Sequence, residues 1–160
     1  MSDTIEVAIQ ELQSAFPPHP LDVRTAFDQW GVTYTDGASF QQGAQGKRWD
    51  ELSPTFLEFH HDALLFLGWP VIVHVIPAYL AAALRRDPEL DMLPSFLLGA
   101  LTRGIDNNTT RFDAQFAQLS LAQRNAIALA LEAWEQSFEN SDRRRPIKAA
   151  LKSYWRATEE

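Results

Sequence analysis

Val71-Ile72-Val73-His74-Val75-Ile76-Pro77-Ala78-Tyr79-Leu80-Ala81-Ala82-Ala83-Leu84-Arg85-Arg86 is the stretch on which the fold class turns. Its first half is rich in β-branched residues and reads as a strand on propensity alone. The alanine- and leucine-rich half continues as helix, and no partner strand exists for the first half. Val32-Thr33-Tyr34-Thr35 is the only other strand-like run. A lone short strand makes no sheet, so that run is assigned to loop. The deciding stretch is therefore helix, started by Trp69-Pro70 and kinked or restarted at Pro77.

Helical signals repeat on both sides of it. Ser53-Pro54 is a capped start, predicting a helix to about Phe66 that stops at Gly68. Ile5, Ala8, Ile9, Leu12 and Phe16 lie at helical spacing before the proline run at Pro17-Pro18-His19-Pro20. A short helix is expected from about Asp22 to Trp30, closed by Gly31. Residues 31–48 then read as irregular, with a turn at Asp36-Gly37 and a chain loosened by Gly43 and Gly46. Downstream, helices are expected from about Leu90 or Pro94, and from Thr109 to Gln118. Ser120 and Gln123 form a capping box before Ile127, Leu131, Trp134 and Phe138, a core stripe. Asn140-Ser141-Asp142 interrupts the chain, and a last helix over about 144–157 buries Ile147, Ala150, Leu151 and Tyr154. The fold expected is all-α: a compact single-domain bundle of about 6–8 helices over residues 1–160, with an irregular loop at 31–48.

The 160 residues carry a net charge of −7 and no cysteine. That charge argues against nucleic acid and anionic membranes as general partners. The lack of cysteine excludes a disulfide scaffold and thiol catalysis, and fits a reducing cytoplasm. No basic-then-apolar leader opens the chain, and no apolar run approaches the ~18 residues of a membrane span. The charge is uneven. Residues 1–142 hold 8 basic and 19 acidic groups, net −11; residues 143–160 hold 6 and 2, net +4. Arg144, Lys148, Lys152 and Arg156 form a basic stripe beside the last helix's buried face, which reads as a solvated face attracted to the acidic body.

His60-His61-Asp62 is the densest polar cluster. On one continuous helix, Leu57, His60, His61, Leu64 and Leu67 share a face, while Phe59, Asp62 and Phe66 share the opposite one. Such a helix is central, its polar groups at least partly buried and hydrogen-bonded, fixing register. A second reading is a metal-dependent phosphohydrolase of the His…His-Asp…Asp type, with His19 and Asp91 or Asp106 as outer ligands. No nucleophile elbow and no phosphate-binding loop occurs; Gly43-Ala44-Gln45-Gly46-Lys47 lacks the hydroxyl residue and preceding strand.

Trp49-Asp50-Glu51-Leu52, His60-His61-Asp62-Ala63-Leu64, Ile76-Pro77-Ala78-Tyr79-Leu80, Leu93-Pro94-Ser95-Phe96-Leu97-Leu98 and Ser120-Leu121-Ala122-Gln123-Arg124 occur in that order. This string resembles an uncharacterised bacterial family of small acidic proteins, over roughly residues 47–135. The resemblance implies no activity. It implies a structural motif in which Trp49 is a lid, His60, His61 and Asp62 lie on a central helix, and Pro77 and Tyr79 lie on a kinked one. Gly68-Trp69-Pro70-Val71 departs from the more polar helix start of that family.

The function expected is non-enzymatic binding of a basic protein, most concretely an immunity protein neutralising a cognate toxin, with no cofactor, metal or catalytic residue. Asp87, Glu89 and Asp91 form one candidate contact patch and Glu132, Glu135 and Glu139 a second. A homo-oligomeric scaffold using Trp69 and Trp155 as exposed aromatics is a further option.

Overall fold

A computed structural model describes residues 3–27 and 34–157 of the chain. The deciding stretch is one continuous helix, Val71–Arg85, which runs through Pro77 without restarting. All of its residues except His74 and Arg85 are buried. Burial on every side explains why β-branched residues are tolerated there: packing outweighs a propensity penalty of a few tenths of a kcal/mol each. Arg86 ends the helix in the left-handed region, at φ 51° and ψ 47°.

In chain order the helices are α1 (Asp3–Ala15), α2 (Gly37–Ala44), α3 (Pro54–Phe59), α4 (Val71–Arg85), α5 (Leu93–Leu101), α6 (Thr109–Phe116), α7 (Leu121–Gln136) and α8 (Ser141–Ala150). Short 3₁₀ turns occupy Trp49–Glu51, His61–Leu65 and Ile105–Asn107, and Leu151–Trp155 is a π turn. No strand occurs among the described residues. α4 packs against α1, α5 and α7, with α1 also lying along α7. The fold is all-α in a compact single domain. Among the described residues, no helix is long and apolar enough to cross a membrane.

Four local expectations are corrected. Residues 31–48 are not irregular throughout, because α2 occupies Gly37–Ala44 with Phe40 and Ala44 fully buried at helical spacing. Gly43 does not loosen it. A Cβ there would lie 2.5 Å from Phe56 Cε2, so the glycine permits close packing of α2 on α3. Second, Arg24 to Phe27 form turns rather than helix; residues 28–33, the rest of that expected helix and the start of the strand-like run, lie outside the described residues.

Third, the helix expected to reach Phe66 stops at Phe59. The Ser53 cap is present, accepting from Phe56 N at 3.1 Å. His60 leaves the helical region, at φ −104° and ψ 32°, and its carbonyl accepts from the buried Tyr79 hydroxyl at 2.8 Å. Fourth, α8 begins at Ser141, capped by Asn140, and its last turn widens into the π turn. That turn buries Trp155, whose Nε1 donates to Leu101 O at 2.8 Å, while Leu151 and Tyr154 are only half-buried. Trp155 is therefore no exposed interface aromatic, and Trp69 is half-buried. Residues 143–157 join the core through Ile147, Ala150 and Trp155.

Candidate functional site

The break after α3 brings polar side chains from three segments together in the interior. With the helix ended at Phe59, His60 and Asp62 no longer lie on opposite faces, and both reach Tyr34. The Tyr34 hydroxyl donates to Asp62 Oδ1 at 3.0 Å and sits 2.8 Å from His60 Nδ1. A phenol has one proton. Since Asp62 takes it, His60 Nδ1–H must donate to the Tyr34 oxygen, which leaves the lone pair on His60 Nε2. Nε2 lies 3.5 Å from Ser39 Oγ on α2.

His60 is 1% exposed and touches the rings of Tyr34, Phe40, Phe56 and Phe59. Burial among these rings pushes its pKa down, against the opposing pull of Asp36 and Asp62. Burial, then the hydrogen bond and charge of Asp62, push the Tyr34 phenol up, so it remains a donor. Ser39, Ser53, Thr55, Phe56, Phe59 and His60 line an open recess of about 410 Å³ above the cluster.

His61 turns away from this recess. Its Nδ1 donates to Glu58 O at 2.7 Å, and its ring packs edge-on against Phe96, 4.5 Å between centroids. The Glu58 carboxylate accepts from the backbone N–H groups of Asp91, Met92 and Leu93 at 2.8, 3.0 and 3.0 Å. Burial opposes ionisation of Glu58, but the three amides and His61 outweigh it and hold its pKa below the usual value. The other motif residues are internal ties. Trp49 is buried and its Nε1 donates to Phe16 O at 2.8 Å; Pro77 and Tyr79 lie inside α4.

The two acidic patches differ. Glu132 pairs with Arg156 at 3.3 Å, and Glu135 with Arg144 and Lys148 at 3.4 and 3.7 Å. Most of the basic stripe therefore binds the chain's own α7, and the trio expected to face a partner is largely occupied. Within it, Glu139 is exposed and forms no ion pair with a described residue. Asp87, Glu89 and Asp91, on the connection from α4 to α5, likewise have no ion pair among the described residues. Asp87 Oδ1 accepts from Glu89 N at 2.9 Å, and the Glu89 carboxylate accepts from the Thr55 hydroxyl. Phe59, one turn of α3 beyond Thr55, is 58% exposed, and Met92, next to Asp91 in the chain, 45%.

The residues of the phosphohydrolase reading are not brought together. His19 packs on His74, 4.9 Å between ring centroids, while Asp91 lies by Glu58 and Asp106 on the exposed turn after α5. Among the described residues no three of His, Asp and Glu are placed to hold a metal ion. Sequence reasoning missed Tyr34 and Ser39, assigned to loop, and Thr55. Gly46, at φ 78°, was the available signal that a helix ends at Ala44.

No curated protein and no solved structure matches the chain. Residues 1–159 match the model of a family of unknown function, DUF6714, and the chain belongs to that family.

Proposed function

We propose that the chain is a protein-binding domain that engages a basic partner, most concretely an immunity protein that occludes a toxin in the bacterial cytoplasm. The observation that carries this reading is the corner where α3 meets the α4–α5 connection. Asp87, Glu89 and Asp91 lie on that connection without ion pairs among the described residues, Met92 follows them exposed, and the exposed Phe59 ends the helix that Glu89 meets through Thr55. An aromatic anchor flanked by unpaired charge is the composition of a binding hot spot. The corner is also preorganised. Glu58 clamps three successive backbone amides and Thr55 ties Glu89 to α3, which lowers the ordering entropy lost on binding. The net charge of −7 steers a cationic surface toward it.

The test is calorimetric titration of the purified protein with the product of the adjacent gene, at low and at high salt. Tight binding that weakens with salt supports the reading. Absence of binding at both salt concentrations overturns it.

A further inference from the structure

We propose that Ser39 is a nucleophile poised on His60, and that the recess above them hydrolyses small uncharged carboxylic esters. This goes beyond the docking reading and needs no protein partner. The inference begins with the proton inventory. Tyr34 donates to Asp62 and so accepts from His60 Nδ1–H, which presents the Nε2 lone pair toward the Ser39 hydroxyl 3.5 Å away. A histidine serving only to fill the core would be satisfied by Tyr34. Here its second nitrogen instead faces an exposed hydroxyl at the wall of an open recess of about 410 Å³. The order nucleophile, base, orienting group is the general arrangement of an activated hydroxyl, and such contacts are looser before substrate binds. Burial that keeps His60 neutral is consistent with a base.

The remaining parts are local. The backbone N–H groups of Ala38 and Ser39, in the first turn of α2, have no acceptor among the described residues and can donate to a developing oxyanion. Phe56 and Phe59 give the recess an apolar side that suits an aryl or alkyl ester, while Asp36 and Asp62 near His60 repel anions. In the reaction, Ser39 Oγ bonds to the ester carbonyl carbon as its proton passes to His60 Nε2. His60 then gives that proton to the leaving oxygen as the carbon–oxygen bond breaks. Water next attacks the Ser39 ester, losing a proton to His60 Nε2. That proton returns to Ser39 Oγ as the carboxylic acid departs. Tyr34 and Asp62 are positioning residues.

A fluorophosphonate probe and p-nitrophenyl acetate test this on the intact chain. The expected result is a single phosphonyl adduct mapped to Ser39 by mass spectrometry. Ester turnover should fall by at least about 10²-fold in Ser39→Ala, the scale of one acid–base group. Ser39 is exposed, so that variant should keep the fold, checked by circular dichroism. Tyr34→Phe should retain the adduct but lower kcat at unchanged KM and move the pH profile, which a purely structural Tyr34 would not do. No adduct on the folded wild-type protein, or equal turnover in wild type and Ser39→Ala, overturns the proposal.

Discussion

The buried hydroxyl of Tyr79 donates to the main-chain carbonyl of His60 at 2.8 Å, joining the central helix α4 to the point where α3 ends. Tyr79 is fully buried, and the carbonyl it holds lies beyond the last turn of α3. Together with the bond that the same carbonyl accepts from Ala63 N at 3.1 Å, it ties down the backbone turn that brings His60 and Asp62 to Tyr34.

Tyr79→Phe keeps the ring and removes only the donor, leaving the His60 carbonyl without that donor in the interior. That carbonyl still accepts from Ala63 N at 3.1 Å, so the expected loss is the net worth of one hydrogen bond, about 0.5–1.5 kcal/mol of folding stability. At this chain length that lowers Tm by roughly 2–4 °C per kcal/mol. Chemical denaturation checks it, and an unchanged midpoint would show that the α3 break is held by other contacts.

Gly43→Ala tests whether α2 is a loosened segment or a packed helix. In a loosened segment alanine would help, by up to ~1 kcal/mol of helix propensity. Here the new Cβ meets the Phe56 ring at 2.5 Å, and that ring is itself packed against Phe40 and His60. Overpacking costs about 1–3 kcal/mol, so the net expectation is destabilisation. Combining Gly43→Ala with Phe56→Leu should recover part of the loss, giving a double-mutant coupling of about 0.5 kcal/mol or more.

Acid should weaken the fold before the carboxylates titrate. Burial pushes both His60 and His74 down, with the charge of His19 adding to the effect on His74 and Asp36 and Asp62 opposing it at His60. In the unfolded chain each takes up a proton near its ordinary value of about 6.5. As pH falls through that value the unfolded state binds more protons than the folded one, so stability declines until the folded imidazoles also titrate. The urea midpoint should therefore be lower at pH 5 than at pH 7. His74→Gln should flatten the difference, since His74 faces His19 and not the Tyr34 cluster.

Periodicity made α1, α4 and α7 legible, because each carries an unbroken apolar pattern between clear stops. The Ser120 capping box is present in both directions, as its residues imply. The site was less legible for three physical reasons. α2 has a short buried stripe, Phe40 and Ala44, diluted by polar residues and two glycines, one of which is there for packing. The break at His60 is tied to a hydroxyl 19 positions later, which no local pattern reveals. Tyr34 meets His60 and Asp62 across separations of 26 and 28 residues. The two acidic patches were equivalent as charge patterns; only tertiary pairing distinguishes Glu132 and Glu135, held by the C-terminal cations, from Asp87, Glu89 and Asp91.

That distinction fixes the expected result at the proposed docking corner. Phe59 is 58% exposed, so Phe59→Ala should leave the urea midpoint nearly unchanged. If the ring anchors a basic partner, the same substitution should weaken binding by about 2 kcal/mol or more, roughly 30-fold in Kd. Reversing charge at Glu89 or Asp91 should slow association and reduce the salt dependence, because these acids contribute to steering. Glu132→Gln supplies the contrast. Its carboxylate meets Arg156 on the chain's own surface, so binding should stay within about twofold of wild type while the C-terminal turn loosens slightly. Loss of binding in Glu132→Gln with none in Phe59→Ala would move the interface to α7 and remove the α3 corner from consideration.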